Sequence, residues 1–110
     1  MTGSDSLDAS AQLARTAAAL RSGDVGFVEG VRRIVSLQQP LGVRANDPDF
    51  AIFIAIDSES DHLPNTTARL MASDDWLAAC MAEERELQER HGEDVRAAAE
   101  RLCLRFASKG

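Results

Sequence analysis

A chain of 110 residues, 45% hydrophobic and 27% charged, has the composition of one globular domain and lacks the length for two independent cores. Its net charge of −6 repels a phosphate backbone at long range, so nucleic acid is not an expected partner. No apolar run approaches the length of a membrane span, and membrane association is not expected either. With 5% aromatics and no tyrosine, the core must come from Leu, Ile, Val, Ala and Phe.

Residues 1–6 are small and polar and read as a flexible tail ahead of a single helical domain over 7–108. They lack the basic region and apolar run of a signal peptide, which makes the cytoplasm the expected compartment. Leu13, Ala17 and Leu20 recur at helical spacing, so a helix is expected over about Leu7 to Arg21, stopped by Ser22-Gly23. Asp24 is placed to cap the next helix. There Phe27, Val28, Val31, Ile34 and Val35 form an apolar stripe, with Gly26 and Gly30 suggesting close approach to a neighbour. Arg32-Arg33, the only adjacent basic pair, reads as the solvated side of that helix. Gln38-Gln39-Pro40 with Gly42 reads as a loop.

Phe50 to Ile56 is an unbroken apolar run. The β-branched alternation of Ile52, Ile54 and Ile56 favours a strand on propensity. Asp47-Pro48 reads as a helix start, Asp49 suits the positive end of the helix dipole, and no second convincing strand exists to pair with. Helix is expected, buried at the centre of the fold with Ile54 in the core. The alternative is an α+β arrangement in which 50–56 is a strand paired across a dimer axis. Asn65 to Ala72 follows as loop or short helix. Ser73 then caps a helix whose buried face is Trp76, Leu77, Cys80, Met81 and Leu87, with Glu86 and Arg90 paired outside. That helix is expected to stop at His91-Gly92, with His91 complementing its dipole. A last helix runs from Glu93 to about Ala107, with Val95, Ala99, Leu102 and Phe106 inward. The sum is an all-α irregular bundle of about four or five short helices.

Chemistry concentrates in the acidic tract. On a continued helix Asp57 and Asp61 share one face, and two carboxylates with His62 supply oxygen and nitrogen ligands for a divalent cation. The spacing matches neither an EF-hand nor a zinc-protease helix. Ser58 and His62 lack the glycine elbow and mutual aim of a catalytic pair. Cys80 and Cys103 form no CxxC and read as two buried thiols of a reducing compartment. No catalytic, nucleotide or cofactor signature is found, which weighs against an enzyme, and no cofactor is expected.

The stretch Phe53-Ile54-Ala55-Ile56-Asp57-Ser58-Glu59-Ser60-Asp61-His62-Leu63-Pro64 resembles the central motif of a family of small uncharacterised bacterial proteins: an apolar run followed by Asp-Ser-Glu-Thr-Asp-x-Leu-Pro. Ser60 stands where threonine is expected and keeps the hydroxyl. Glu29-Gly30 with Arg32-Arg33 resembles that family's upstream helix, and Trp76 its downstream tryptophan. The resemblance implies bacterial origin and no particular activity. It marks Asp57, Ser58, Glu59, Asp61 and His62 as the candidate ligand or partner site. The function expected is a protein-interaction or regulatory module acting on another protein, with self-association into a homodimer as a variant. The alternative is a metal- or small-ligand-binding protein using residues 57–62.

Overall fold

The computed structural model describes residues 4–64 and 66–107 of the chain, and among them it shows five α-helices and no strand. The all-α expectation is therefore met, and the strand alternative for 50–56 is overturned. The first helix, α1 (Ser4–Ser22), turns Ala9, Leu13 and Ala17 into the core. Residues 1–3 of the expected tail, and residue 108 of the expected domain, lie outside the described residues. Gly23 at φ 82° ends α1, a left-handed conformation that costs glycine nothing.

Helix α2 (Phe27–Leu41) buries Phe27, Val28, Val31, Ile34 and Leu37. The loop expected at Gln38–Pro40 is helical instead. Leu37 and Leu41 extend the apolar stripe by one more turn, and Pro40 removes only one amide in the last turn. The stop is Gly42, at φ 70°: its N–H donates to the Gln39 carbonyl and the Val43 N–H donates to that of Gln38, both at 3.0 Å. Close approach was correctly located at Gly30 but not at Gly26. A Cβ on Gly30 would lie 2.6 Å from Leu20 Cδ2, whereas one on Gly26 would meet nothing nearer than 3.8 Å.

Helix α3 (Ala51–Glu59) is the predicted central helix, and Phe50, Phe53 and Ile56 are completely buried. Ile54 is only half-buried, at the margin of the core. The helix begins downstream of Pro48, because Asp47 is spent on a turn. Its Oδ1 accepts the Asp49 N–H at 2.9 Å and its carbonyl accepts the Phe50 N–H at 3.0 Å. The two carboxylates then face α5 rather than the α3 dipole.

Helix α4 (Thr66–Leu70) is short, and α5 (Asp74–Ala107) runs for 34 residues. Ser73 caps α5 as expected, accepting the Trp76 N–H at 3.2 Å. The two helices expected over 74–107 are one. Gly92 stops a helix only by adopting positive φ, and here it stays helical while Leu87 on one side and Val95, Ala98, Ala99 and Leu102 on the other are buried. His91 thus sits within a helix, not at its end. The inward stripe of α5 is Leu77, Cys80, Glu84 and Leu87, which turns Trp76 and Met81 outward, against expectation. Cys80 is buried and Cys103 half-buried, and both are free thiols.

Alanines at 98 and 99 let α1 lie close on α5, while α1 also packs on α2 and α2 on α3. Phe106 meets Phe50 edge-to-face at 6.5 Å between ring centroids. Beside that contact Arg105 forms a two-pronged bridge to Asp47 (Nη1–Oδ1 3.1 Å, Nη2–Oδ2 3.0 Å) and also donates to Asp49, which Arg101 contacts at 3.1 Å. The entry to α3 is thereby fastened to the end of α5.

Two glycines in helices should respond oppositely to alanine. Gly92→Ala adds a Cβ no nearer than 4.0 Å to Gln88 Cγ, and should raise stability by about 0.5–1 kcal/mol in urea unfolding. Gly30→Ala should lower it by about 1–3 kcal/mol through overpacking against Leu20. The hydrogen bond from Arg105, and secondarily the Asp49 N–H, hold the Asp47 carboxyl below its ordinary value of 3.8. A depressed folded-state value stabilises fully above that ordinary value and is lost as pH falls through the folded one. Stability should therefore decline below about pH 4, and Asp47→Asn should flatten that acid limb while lowering stability at neutral pH.

Candidate functional site

Helix α3 stops at Glu59, and Ser60 closes it by donating its N–H to the Ile56 carbonyl at 2.9 Å. The helix does not continue through the acidic tract, so Asp57 and Asp61 do not share a helical face. Asp57 is half-buried, and Ser58 and Asp61 are exposed. Glu59 and His62 reach α5 instead. Glu59 Oε1 lies 3.0 Å from His91 Nε2 and 3.8 Å from Arg90 Nη1, and His62 Nε2 contacts Glu83. Arg90 therefore turns to Glu59, not to Glu86 as expected. Both histidines of the chain join the same two elements. Among the described residues no group of three His, Cys, Asp or Glu side chains is placed to hold a metal ion. Asp57, Asp61 and His62 are not assembled as a ligand set, and Ser58 is not aimed at His62.

The inner side of the tract is where the structure converges. Ser60 and Leu63 are buried, and Arg32 Nη2 donates to both their carbonyls, at 2.6 and 2.8 Å. Arg69 Nε donates to the Pro64 carbonyl at 3.3 Å, and its Nη2 lies 3.1 Å from Glu84 Oε1. The other oxygen of Glu84 accepts the Val28 N–H at 2.9 Å. Glu84, from α5, thus caps α2 across 56 positions of sequence. Asp24, the expected cap, accepts from Ser22 Oγ instead. These side chains line a groove of about 360 Å³ bordered by Val28, Arg32 and Ser36 of α2, with Pro64, Arg69 and Glu84 opposite.

Arg32, expected on the solvated side of its helix, is half-buried, and so is Glu84. A signal for Glu84 was present: it lies four residues after Cys80 and three before Leu87, on the apolar stripe itself. A carboxylate there must find donors, and the free amides of a helix start supply them.

Four large apolar side chains of α4, the following turn and the first turns of α5 are exposed. Leu70 is 81% exposed, Met71 86%, Trp76 47% and Met81 55%. Asp74, Asp75, Glu86 and Glu89 of α5 are exposed as well.

Replacing Arg32 removes two charge-assisted bonds to buried carbonyls, so Arg32→Met should cost about 2 kcal/mol or more. Hydrogen exchange should show the amides of residues 60–64 losing protection before those of α1. Comparison with family profiles, with characterised proteins and with solved structures gives no match for this chain.

Proposed function

We propose that the chain is a protein-interaction module that docks on another protein through the α4–α5 junction. The observation that carries this reading is the exposure of Leu70, Met71, Trp76 and Met81 within twelve positions of sequence. Isolated exposed apolar side chains are ordinary, but a tryptophan and two methionines this close in sequence have the composition of an interface core. Asp74 and Asp75, just ahead of Trp76, are exposed and add negative charge there. The partner it fits presents apolar anchors within a basic rim, which steers association and makes it salt-sensitive.

Bacterial origin and a cytoplasmic location belong to the same proposal. The likeness of residues 53–64 to the motif of small bacterial proteins supports the first. Two free thiols support a reducing compartment. No helix among the described residues is long and apolar enough to cross a membrane. The candidate residues Glu59 and His62 serve this function indirectly, by tethering the turn ahead of α4 to α5.

Trp76 is the only tryptophan, so its emission reports the patch directly. Chemical cross-linking in bacterial extract at low salt should yield one stoichiometric adduct that Met71→Asp abolishes without changing the melting temperature. The purified adduct should show Trp76 emission shifted to the blue. An adduct that survives Met71→Asp, or a blue shift produced by raising the concentration of the chain alone, would overturn the reading; the second result assigns the patch to self-association.

A further inference from the structure

We propose that the groove between α2 and the side chains of Pro64, Arg69 and Glu84 is a binding site for a small organic carboxylate, with Arg32 receiving its charge. The groove holds three guanidinium groups, Arg32, Arg33 and Arg69, and two carboxylates, Glu29 and Glu84. Arg33 pairs with Glu29, and Arg69 pairs with Glu84. Among the described residues Arg32 bonds to the carbonyls of Ser60 and Leu63, neutral acceptors that fix its position without pairing its charge to a carboxylate.

A guanidinium carries five N–H donors, and both carbonyls are served by Nη2. Nε and Nη1 make no bond among the described residues. Half-burial weakens the screening of this cation, so an incoming anion gains more there than at an open surface. The anchoring also means that little side-chain entropy is lost on binding.

The volume of about 360 Å³ lies within the range of small-molecule sites. Pro64 and the methylene stems of the arginines offer an apolar wall for the body of the ligand. The lining sums to one positive charge, which matches a monoanion. A dianionic phosphate would meet repulsion from Glu29 and Glu84. The site shares no residue with the apolar patch at the α4–α5 junction, so the two readings stand or fall separately.

The test is an amide chemical-shift titration of the ¹⁵N-labelled protein at low salt with benzoate, benzamide and inorganic phosphate. Benzoate should shift the Val28–Ser36 and Arg69 resonances saturably, and benzamide, the uncharged isostere, should not. Arg32→Gln alone is ambiguous because Arg32 also holds the turn, so the deciding variant is Ser36→Trp. It fills the groove from an exposed position, and should weaken benzoate binding about tenfold or more with an unchanged melting temperature. Met71→Asp should leave the titration unaltered. Absence of saturable shifts in the groove, equal response to benzamide, tighter binding of phosphate than of benzoate, or full binding by Ser36→Trp would each overturn the assignment.

Discussion

After α3 ends, the chain must turn back through the interior, and a turn has no helical amides to receive its carbonyl oxygens. Ser60 is wholly buried, so its carbonyl must be bonded within the protein or carry a desolvation cost. Arg32 answers that need from α2 with a single nitrogen shared between Ser60 and Leu63. Arg69 does the same for Pro64 and passes the connection to Glu84, which in turn satisfies an open amide at the start of α2. Helix, turn, helix and helix are thereby closed into a loop of bonds. The position of α4, the shape of the groove and the outward aim of the apolar patch all follow from that closure.

The charges of this acidic chain fall into two groups with different work. Asp47, Asp49 and Glu84 are bound to arginines at the seams between elements, where partial burial strengthens each contact. Asp61, Glu86 and Glu89 stay in solvent and set the local field of the surface. The motif at 57–62 divides the same way. Ser58 and Asp61 face solvent, Glu59 and His62 reach α5 by their side chains, and the backbone of Ser60 and of neighbouring Leu63 is gripped by Arg32.

Much of the helical content was legible because apolar spacing states which face is buried. Phe27, Val31 and Ile34 on α2, and Val95, Ala99 and Leu102 on α5, sit where their periodicity places them. Asp47-Pro48 signalled a boundary but not its register, since the Asp47 side chain was free to choose between a dipole and Arg105. Pro40 and Gly92 misled for one reason. Each is an unfavourable helix residue whose local cost is small beside the tertiary burial on either side. Trp76 misled because size was taken for burial, whereas the stripe through Leu77, Cys80 and Leu87 had already fixed the inner face. The candidate site was the least legible part. Its geometry depends on Arg32 meeting carbonyls about thirty positions away, and a backbone acceptor leaves no mark in the sequence.

The pairing of α1 with α5 joins the first described helix to the last, and each is the other's most extensive neighbour. During synthesis α1 and α2 can form a hairpin early, and α3 can cover part of α2, but the face that α1 turns to α5 stays open until the second half of α5 has left the ribosome. Contacts of such long sequence separation are reached late and slow the folding reaction. Until α5 is complete the hairpin therefore keeps a greasy surface uncovered, the kind of surface that chaperones bind and that the folded domain conceals.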